Sequence, residues 1–513
     1  MSRLFRAAGA ISGLTLGSRV LGLWRDSAMA AVLGAGPVSD TFFLAWALPN
    51  LMRRLLGEGA LSASFVPAYT AARRDGEAPA RGLLASVLGG VLVLLLPLVA
   101  LVVVGSLLAT LWSGGDDGRL GLLLTLNAIL FPYAIPICVT AMLAGALNTR
   151  GVFALPAAVP IALNVVWIGA LYLVAPLGIA EDSAIATFLA AALCAGGFAQ
   201  LLLVIAPLRR AGALASPPLR WPRRGTAAAM VFATMGPTVV GMSLNQISTL
   251  IDQGMAYGLL GEGANTYLYL SNRLLLFPHA LTALAVVVAV FPRLADEAGE
   301  RDRARLRTTI DGAAAATLFV TVPAAMGLFV LADDVVAGLF QRQQFTAEDA
   351  AATALTTRCL LVGLPFLGLA QLFARAFYAV GDTRTPARVA ARLLLVNVGL
   401  NLVLILGLGF GTEGLALATS CSGALNALWL ARGLRRHVAA APAGALSPWL
   451  RSGVATAAMC AAILLVRPEV DGGRGALLLW RVALPIAVGI AVYAAAQWLL
   501  RSPELRAVLR RRR

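Results

Sequence analysis

The sequence contains no lysine, only two histidines and only five cysteines in 513 residues. His279 and His437 are its only imidazoles, so acid–base chemistry would have to rest on carboxylates alone. The cysteines have no paired spacing, which argues against both a disulfide framework and a metal site. There is also no cluster of acidic metal ligands, no Ser/His/Asp or Cys/His arrangement and no glycine-rich phosphate loop. We therefore expect no metal, no cofactor and no enzymatic activity.

Charge is scarce as well. Charged residues make up 13% of the chain and hydrophobic residues 59%, against about 25% and 45 to 50% in soluble globular proteins. Since a helix needs about 20 apolar residues to cross a bilayer, this composition predicts an all-α polytopic membrane protein with fourteen transmembrane helices. Their approximate bounds are 8–33, 38–60, 83–112, 121–147, 154–176, 184–207, 227–259, 267–292, 310–332, 351–379, 390–409, 412–433, 449–466 and 477–500.

The net charge of +16 is unevenly distributed along the chain. Arginines concentrate at the N-terminus, in alternate loops and in the C-terminal tail, at 208–224, 293–309, 381–388 and 501–513. The intervening loops hold only Arg119, Arg342, Arg467 and Arg474. By the positive-inside rule both termini lie in the cytoplasm. Because the basic segments adjoin helix ends, attraction to anionic lipid explains them better than nucleic-acid binding does.

Two halves of the chain echo each other in sequence. Asp26 precedes a Leu-Gly pair as Asp252 does, and "ALNTRGVFALP" at 146–156 resembles "AVGDTRTPARV" at 379–389. An even number of helices per repeat makes the repeats parallel, and transporters commonly place their substrate site where repeats meet. We predict two six-helix bundles, 1–210 and 211–436, followed by two additional helices and a basic cytoplasmic tail at 437–513.

Several charges fall inside the first predicted helix, in "SRVLGLWRDS". A charged side chain at the bilayer centre costs about 2.5 to 3.5 kcal/mol on insertion scales, so it marks a functional site by default. Arg19 and Asp26 are seven residues apart and face nearly the same way on a straight helix. They are therefore site candidates together with Arg25. The alternative is that Arg25 and Asp26 form a buried ion pair that holds this helix to its neighbours.

A second cluster follows in "LPNLMRRLLGEGAL", where proline and glycine would interrupt an ideal helix. Broken helices at membrane depth are tolerated where they line a cavity. Arg53 and Glu58 are candidates there, whereas we assign Arg54 to the cytoplasmic edge. Arg273 occupies the corresponding helix of the second half, with snorkelling to the membrane surface as the alternative. The polar residues of the seventh helix, Asp252 among them, could coordinate a cation, with helix packing as the alternative.

An excess of intramembrane arginine calls for an anionic ligand. Guanidinium groups stay charged and bind phosphate bidentately. A cavity between the two bundles would carry a soluble anion or a lipid with an anionic head group. Two alternatives stay open. One is an integral-membrane enzyme that acts on such a lipid, and the other is a cation-coupled exporter of drugs or of polyprenyl-linked oligosaccharides.

The long N-terminal string from "SRVLGLWRDSAMAAVLGAGPVSDTFF" to "SASFVPAY" resembles the opening of the MurJ (MviN) family of lipid II flippases. Further similar motifs are "FPYAIP", "ALNTRGVFALPA", "QFTAEDA" and "ARAFYAVGDTRTPARVA". The resemblance implies a V-shaped pair of bundles in the bacterial inner membrane, with a cationic cavity and a groove for a polyprenyl tail. The substrate would be lipid II, the undecaprenyl-diphosphate-linked peptidoglycan precursor, moved to the outer leaflet by alternating access.

The same resemblance implies functional residues. The family's cavity arginines fall on Arg19, Arg25, Arg53 and Arg273, and its acidic positions on Asp26, Asp40 and Glu58. Ala47 and Leu276 stand where some members have lysine and glutamate. No sodium site maps clearly, so coupling to the membrane potential or to a monovalent cation stays open. We expect a monomer, and we leave open whether cell-wall synthesis proteins are partners.

Overall fold

The computed structural model describes residues 2–55, 61–112, 118–300, 302–439, 447–467 and 477–510. Over these ranges the regular structure is helical, with a single isolated bridge between Arg342 and Phe345. The helices before residue 260 are α1 Ser2–Leu33, α2 Pro37–Met52, α3 Leu61–Arg74, α4 Glu77–Trp112, α5 Arg119–Leu130, α6 Ala134–Thr149, α7 Ala154–Leu173, α8 Asp182–Arg210 and α9 Ala227–Leu259. The later helices are α10 Ala264–Gly299, α11 Arg303–Val330, α12 Ala332–Phe340, α13 Ala347–Leu361, α14 Leu364–Ala379, α15 Arg384–Leu402, α16 Thr412–Leu434, α17 Ser447–Val466, α18 Leu484–Leu499 and α19 Pro503–Arg510.

Ten helical stretches of the described chain are long and apolar enough to cross a membrane. This confirms the predicted all-α polytopic membrane protein. The predicted number of fourteen spans is not confirmed, although each of the fourteen predicted segments overlaps a helix. Three short helices, α3, α12 and α19, lie largely outside the predicted spans.

Two helices that the sequence predicts to be continuous are interrupted. In the segment 121–147, α5 ends at Leu130 and a 3₁₀ turn, Phe131–Tyr133, precedes α6. Pro132 lacks the amide hydrogen that an α-helix would use there. In the segment 351–379, α13 ends at Leu361 and α14 begins at Leu364, next to a glycine and a proline. The fourth predicted span of each repeat is therefore broken near its middle.

The sequence echo between the halves also has a counterpart in two turns. Gly151 and Gly381 both adopt a left-handed backbone, with φ of 79° and 80°. In each turn the next residue donates its amide hydrogen five residues back, from Val152 to the Leu147 carbonyl at 3.1 Å and from Asp382 to the Phe377 carbonyl at 2.9 Å. Glycine is favoured at this position because a Cβ would be strained. The two related motifs thus end their helices in the same way.

Backbone contacts divide the chain into two compact units, Met1–Tyr257 and Gly258–Arg513. In the first unit α1 packs on α7, α7 on α8, and both α2 and α4 on α5. Its centre is aromatic: the Trp167 ring lies 5.7 Å from that of Phe42 and 5.3 Å from that of Trp46. Tyr133, from the 3₁₀ turn, lies 5.1 Å from Trp46. The predicted division at residues 210 and 436 stays a prediction.

In the second unit α10, α11 and α14 pack together, and α14 also packs on α16. Leu306, Phe377 and Leu434 belong to its buried apolar core. The two C-terminal helices α17 and α18 contact each other, and α17 lies along α11. The Tyr493 hydroxyl on α18 donates to the Phe319 carbonyl on α11 at 2.7 Å. The C-terminal helices are thus fastened to the second unit.

Candidate substrate site

Arg25 and Asp26 form a buried ion pair on α1. Arg25 is 7% exposed and Asp26 is 1% exposed. The Arg25 Nε and Nη2 atoms donate to Asp26 Oδ1 at 2.9 and 2.6 Å. Two nitrogens of one guanidinium on one carboxylate oxygen form a strong, oriented contact. The structure therefore brings together the pair that the sequence analysis offered either as site residues or as a helix anchor.

Helix α7 completes the surroundings of Arg25. Its Nη1 donates to Asn164 Oδ1 at 3.0 Å, and the Asn164 amide donates back to the Ser18 carbonyl on α1 at 3.0 Å. The guanidinium carbon lies 4.2 Å from the centroid of Trp167, within the range of a cation–π interaction. Arg25 is thus held by a carboxylate, an amide and an aromatic ring. These contacts match the helix-anchor alternative, and a role of Arg25 in substrate binding stays a prediction.

Arg19 has different surroundings. It lies two turns before Asp26 on the same continuous helix and is half-buried. In the part of the chain that the structure describes, no carboxylate lies within ion-pair distance of its guanidinium. A cationic side chain on a predicted span, with no described carboxylate beside it, is expected of a residue that binds an anionic ligand.

Arg53 and Arg54 lie where α2 passes into a π-helical turn at residues 53–55. Arg53 is half-buried, and its Nε donates to Asn50 Oδ1 at 2.9 Å, one turn earlier. Arg54 donates from Nη1 to Gln246 Oε1 on α9 at 2.7 Å. The structure thus joins the Arg54 side chain to a neighbouring predicted span, and its position at the cytoplasmic edge stays a prediction.

Asp40 lies at the start of α2, fully buried. Its Oδ2 is 3.7 Å from Nη2 of Arg119, the first residue of α5. The Arg119 guanidinium stacks 4.4 Å from the ring centroid of Tyr257 on α9, whose hydroxyl donates to the Arg119 carbonyl at 3.1 Å. Thr41 also donates to the Tyr257 hydroxyl, at 3.4 Å. Asp40, Thr41, Arg119 and Tyr257 thus link α2, α5 and α9.

Three further residues singled out by the sequence are Arg273, Glu58 and Asp252. Arg273 lies half-buried on α10, in the second unit. Glu58 lies outside the described residues. The carboxyl group of Asp252, near the end of α9, is buried, as expected for a packing residue and for a cation ligand alike.

Sequence reasoning missed four residues that build these clusters, namely Asn164, Trp167, Arg119 and Tyr257. Two of them carried a signal. Asn164 has an echo in the second half, Asn397, which donates to Ser422 on α16 at 3.4 Å. Arg119 is one of the few arginines in loops that otherwise lack them. Neither signal says which side chain would be the partner.

Comparisons with known proteins identify the family. The family model described as lipid II flippase MurJ matches residues 29–482. A probable lipid II flippase MurJ of Vibrio cholerae is 34% identical over 450 residues, which covers 84% of this chain and 83% of the relative. The lipid II flippase MurJ of Burkholderia cenocepacia is 32% identical over 459 residues, 87% of this chain and 86% of the relative.

Solved structures give the same answer for the fold. A lipid II flippase MurJ in an inward closed conformation superimposes with a TM-score of 0.77 at 26% identity, covering 96% of this chain and 98% of that one. A multidrug resistance MATE family transporter in an inward-facing conformation superimposes with a TM-score of 0.63 at 17% identity, covering 83% and 97%. The second likeness is one of fold alone.

The helical architecture is that of a multi-pass membrane protein, and the matching family, relatives and solved structure are named as flippases, which places the chain in the class of membrane transporters. Within that class, the match over most of both chains decides the family. The chain belongs to the MurJ family of lipid II flippases.

Proposed function

We propose that this chain moves lipid II from the cytoplasmic to the outer leaflet of the bacterial inner membrane by alternating access. The observation that carries the proposal is the family match over residues 29–482, with relatives named as lipid II flippases at 32 to 34% identity. In this proposal both termini lie in the cytoplasm, as the arginine distribution indicates.

The diphosphate of the substrate is the group that most needs protein contacts, because an anion cannot cross hydrocarbon without them. Four arginines carry its binding in our proposal: Arg19, Arg25, Arg53 and Arg273. Arg19 brings a charge that no described carboxylate compensates, which supports a direct contact with the anion. Arg25 contributes a guanidinium whose position is set beforehand by Asp26 and Asn164. Preorganised donors of this kind bind an anion without first being reoriented.

The carboxylates have supporting roles in the proposal. Asp26 orients Arg25, and Asp40 holds α2 against α5 and α9 through Arg119. Glu58 belongs to the same group through the family resemblance. An inside-negative potential favours outward movement of the lipid's net negative charge, by about 2.3 kcal/mol per charge and 100 mV. The membrane potential is therefore our proposed energy source.

Growth complementation tests the assignment. Each of Arg19→Ala, Arg53→Ala and Arg273→Ala is expressed in a bacterium depleted of its own flippase, beside Arg436→Ala as the matched control. Arg436 is an exposed arginine in the loop after α16. We expect the three site variants to fail and the control to support growth at equal membrane abundance. Full rescue by Arg19→Ala and Arg273→Ala would remove the site assignment.

A further inference from the structure

The chain turns sharply between α18 and α19. The Ser502 amide donates to the Gln497 carbonyl at 3.0 Å, and the Arg501 amide donates to the Trp498 carbonyl at 3.0 Å. This is the helix-ending turn in which glycine is strongly favoured. Arg501 occupies the position instead, with φ of 52°. A non-glycine residue in this left-handed conformation is strained, and strained residues are frequent at binding sites.

An open cavity of about 480 Å³ lies beside the turn. Its lining residues include two arginines, Arg501 and Arg506, and three apolar residues, Trp498, Leu499 and Leu505. Trp498 and Leu499 are exposed at the end of α18, which the sequence predicts to be a transmembrane helix. Tryptophan at the end of such a helix is typical of the membrane–water interface. The cavity therefore pairs cationic with lipid-compatible walls at the level of the head groups.

Gln497 adds an independent observation. Gln497 is one of the residues that line the cavity, and it is 0% exposed. Its Nε2 donates to the Tyr493 hydroxyl at 2.9 Å, and that hydroxyl in turn donates to the Phe319 carbonyl. The amide orientation is thereby set, with Oε1 as the remaining acceptor. Within the described ranges no donor reaches this Oε1. A buried acceptor without a donor is costly, and a ligand that offers a hydroxyl would remove that cost.

The acidic residue beside the cavity is already engaged. Glu504 accepts from the Ser502 hydroxyl at 2.6 Å through Oε2, and its Oε1 lies 3.9 Å from Arg451 Nη2 on α17. Across the described chain, no carboxylate lies within ion-pair distance of Arg501 or Arg506. The cavity therefore keeps a net positive charge.

We propose that this cavity binds the head group of an anionic glycerophospholipid of the phosphatidylglycerol type. Arg501 and Arg506 bind its phosphate, and Gln497 Oε1 accepts from a hydroxyl of the glycerol head group. Trp498 and Leu499 lie beside the ester region and the first methylenes of the acyl chains. Such a lipid belongs to the surrounding membrane and is distinct from the transported substrate. It would fasten the amphipathic helix α19 to the membrane surface.

Native mass spectrometry of the full-length protein in detergent tests this proposal. The probes are phosphatidylglycerol, phosphatidylethanolamine and glycerol 3-phosphate, each titrated separately. We expect phosphatidylglycerol to bind in preference to phosphatidylethanolamine, and glycerol 3-phosphate, which lacks the acyl chains, to bind more weakly than either. Equal binding of the two lipids, or binding of glycerol 3-phosphate as tight as that of phosphatidylglycerol, would overturn the proposal.

Variants locate the site. Arg501→Gly and Arg506→Gln should each weaken phosphatidylglycerol binding about tenfold, as expected for one lost charge-assisted hydrogen bond. Arg501→Gly should keep or raise the melting temperature, because glycine suits the left-handed turn. Arg436→Gln, an exposed arginine elsewhere in the same unit, should leave lipid affinity unchanged. Unchanged affinity in the Arg501→Gly, Arg506→Gln double variant, or an equal loss in Arg436→Gln, would contradict the site.

Discussion

Asp40 and Arg119, 79 positions apart in the chain, meet at the point where α2 and α5 begin, with 3.7 Å between Oδ2 and Nη2. The carboxylate is fully buried, while the arginine side chain is 36% exposed. Tyr257 covers the guanidinium from α9. Asp40, Arg119 and Tyr257 thus link the N-terminal ends of α2 and α5 to α9.

Removal of Arg119 should destabilise the first unit. Arg119→Ala removes the cation that lies 3.7 Å from the buried Asp40 carboxylate, and we expect a loss of about 1 to 3 kcal/mol, reduced from the fully buried case by the exposure of the arginine. The double variant Asp40→Asn, Arg119→Gln should lose less than the sum of the two single variants. Thermal unfolding in detergent measures both effects. Arg220→Ala, an exposed arginine, is the control. Strict additivity would show that the pair is not coupled.

Alanine variants of Arg19 and Arg25 should differ in their effects: Arg25→Ala should lower stability, whereas Arg19→Ala should lower transport. Arg25→Ala leaves Asp26 with 1% exposure and without its main partner, so we expect a loss of about 3 kcal/mol. Arg19→Ala removes no described ion pair, so the melting temperature should hold while transport falls. The paired measurement is the melting temperature and growth complementation of each variant at equal expression. A large drop in the melting temperature of Arg19→Ala would mean that Arg19 is structural.

These two arginines show which features of the site the sequence predicts and which it does not. Hydropathy located the helices, because apolar length is a local property. The charge pattern also singled out Arg19, Arg25 and Asp26, because intramembrane charge is rare. The sequence did not say that Asn164, 139 positions away from Arg25, would hold that guanidinium. Such contacts depend on how α1 packs against α7, which no local pattern contains.

Helix breaks illustrate the same limit at a smaller scale. Pro132 was visible in the sequence, yet proline is tolerated in membrane helices when neighbours satisfy the freed backbone groups. The segment 121–147 was therefore predicted as one helix, and so was 351–379 despite Gly363. Whether such a residue bends or interrupts a helix depends on the packing around it.

Gly89 should not tolerate a side chain. A Cβ at this position of α4 would lie 2.0 Å from the Pro218 carbonyl oxygen in the loop between α8 and α9. Gly89→Ala must displace that loop, and we expect a loss of about 1 to 3 kcal/mol. Gly105→Ala on the same helix is the matched control, because its Cβ would meet open space. That variant should keep or gain up to about 1 kcal/mol through helix propensity. Equal melting temperatures for the two variants would contradict the packing.

The loop before α15 should depend on pH through Asp382. Hydrogen bonds from the Thr385 hydroxyl, and from the amides of Thr385 and Arg384, lower the pKa of this carboxyl below its usual 3.8, with a further contribution from His437. A lowered pKa means that the ionised Asp382 carboxylate stabilises the folded loop. This stabilisation is fully present above about pH 3.8 and is lost as the pH falls through the pKa of Asp382 in the folded protein. Hydrogen exchange at the Arg384 and Thr385 amides should accelerate there, beyond its intrinsic pH dependence. Asp382→Asn should abolish this extra acceleration, and its persistence would exclude Asp382 as the cause.

Reconstituted transport tests the central claim most directly. The purified protein is placed in vesicles with labelled lipid II in one leaflet, and the label's arrival in the other leaflet is measured with a membrane-impermeant reagent. We predict that the unaltered protein moves lipid II and that Arg19→Ala, with an unchanged melting temperature, moves it at least about tenfold more slowly, as expected for one lost charge-assisted contact. Equal rates for the two proteins would contradict the account.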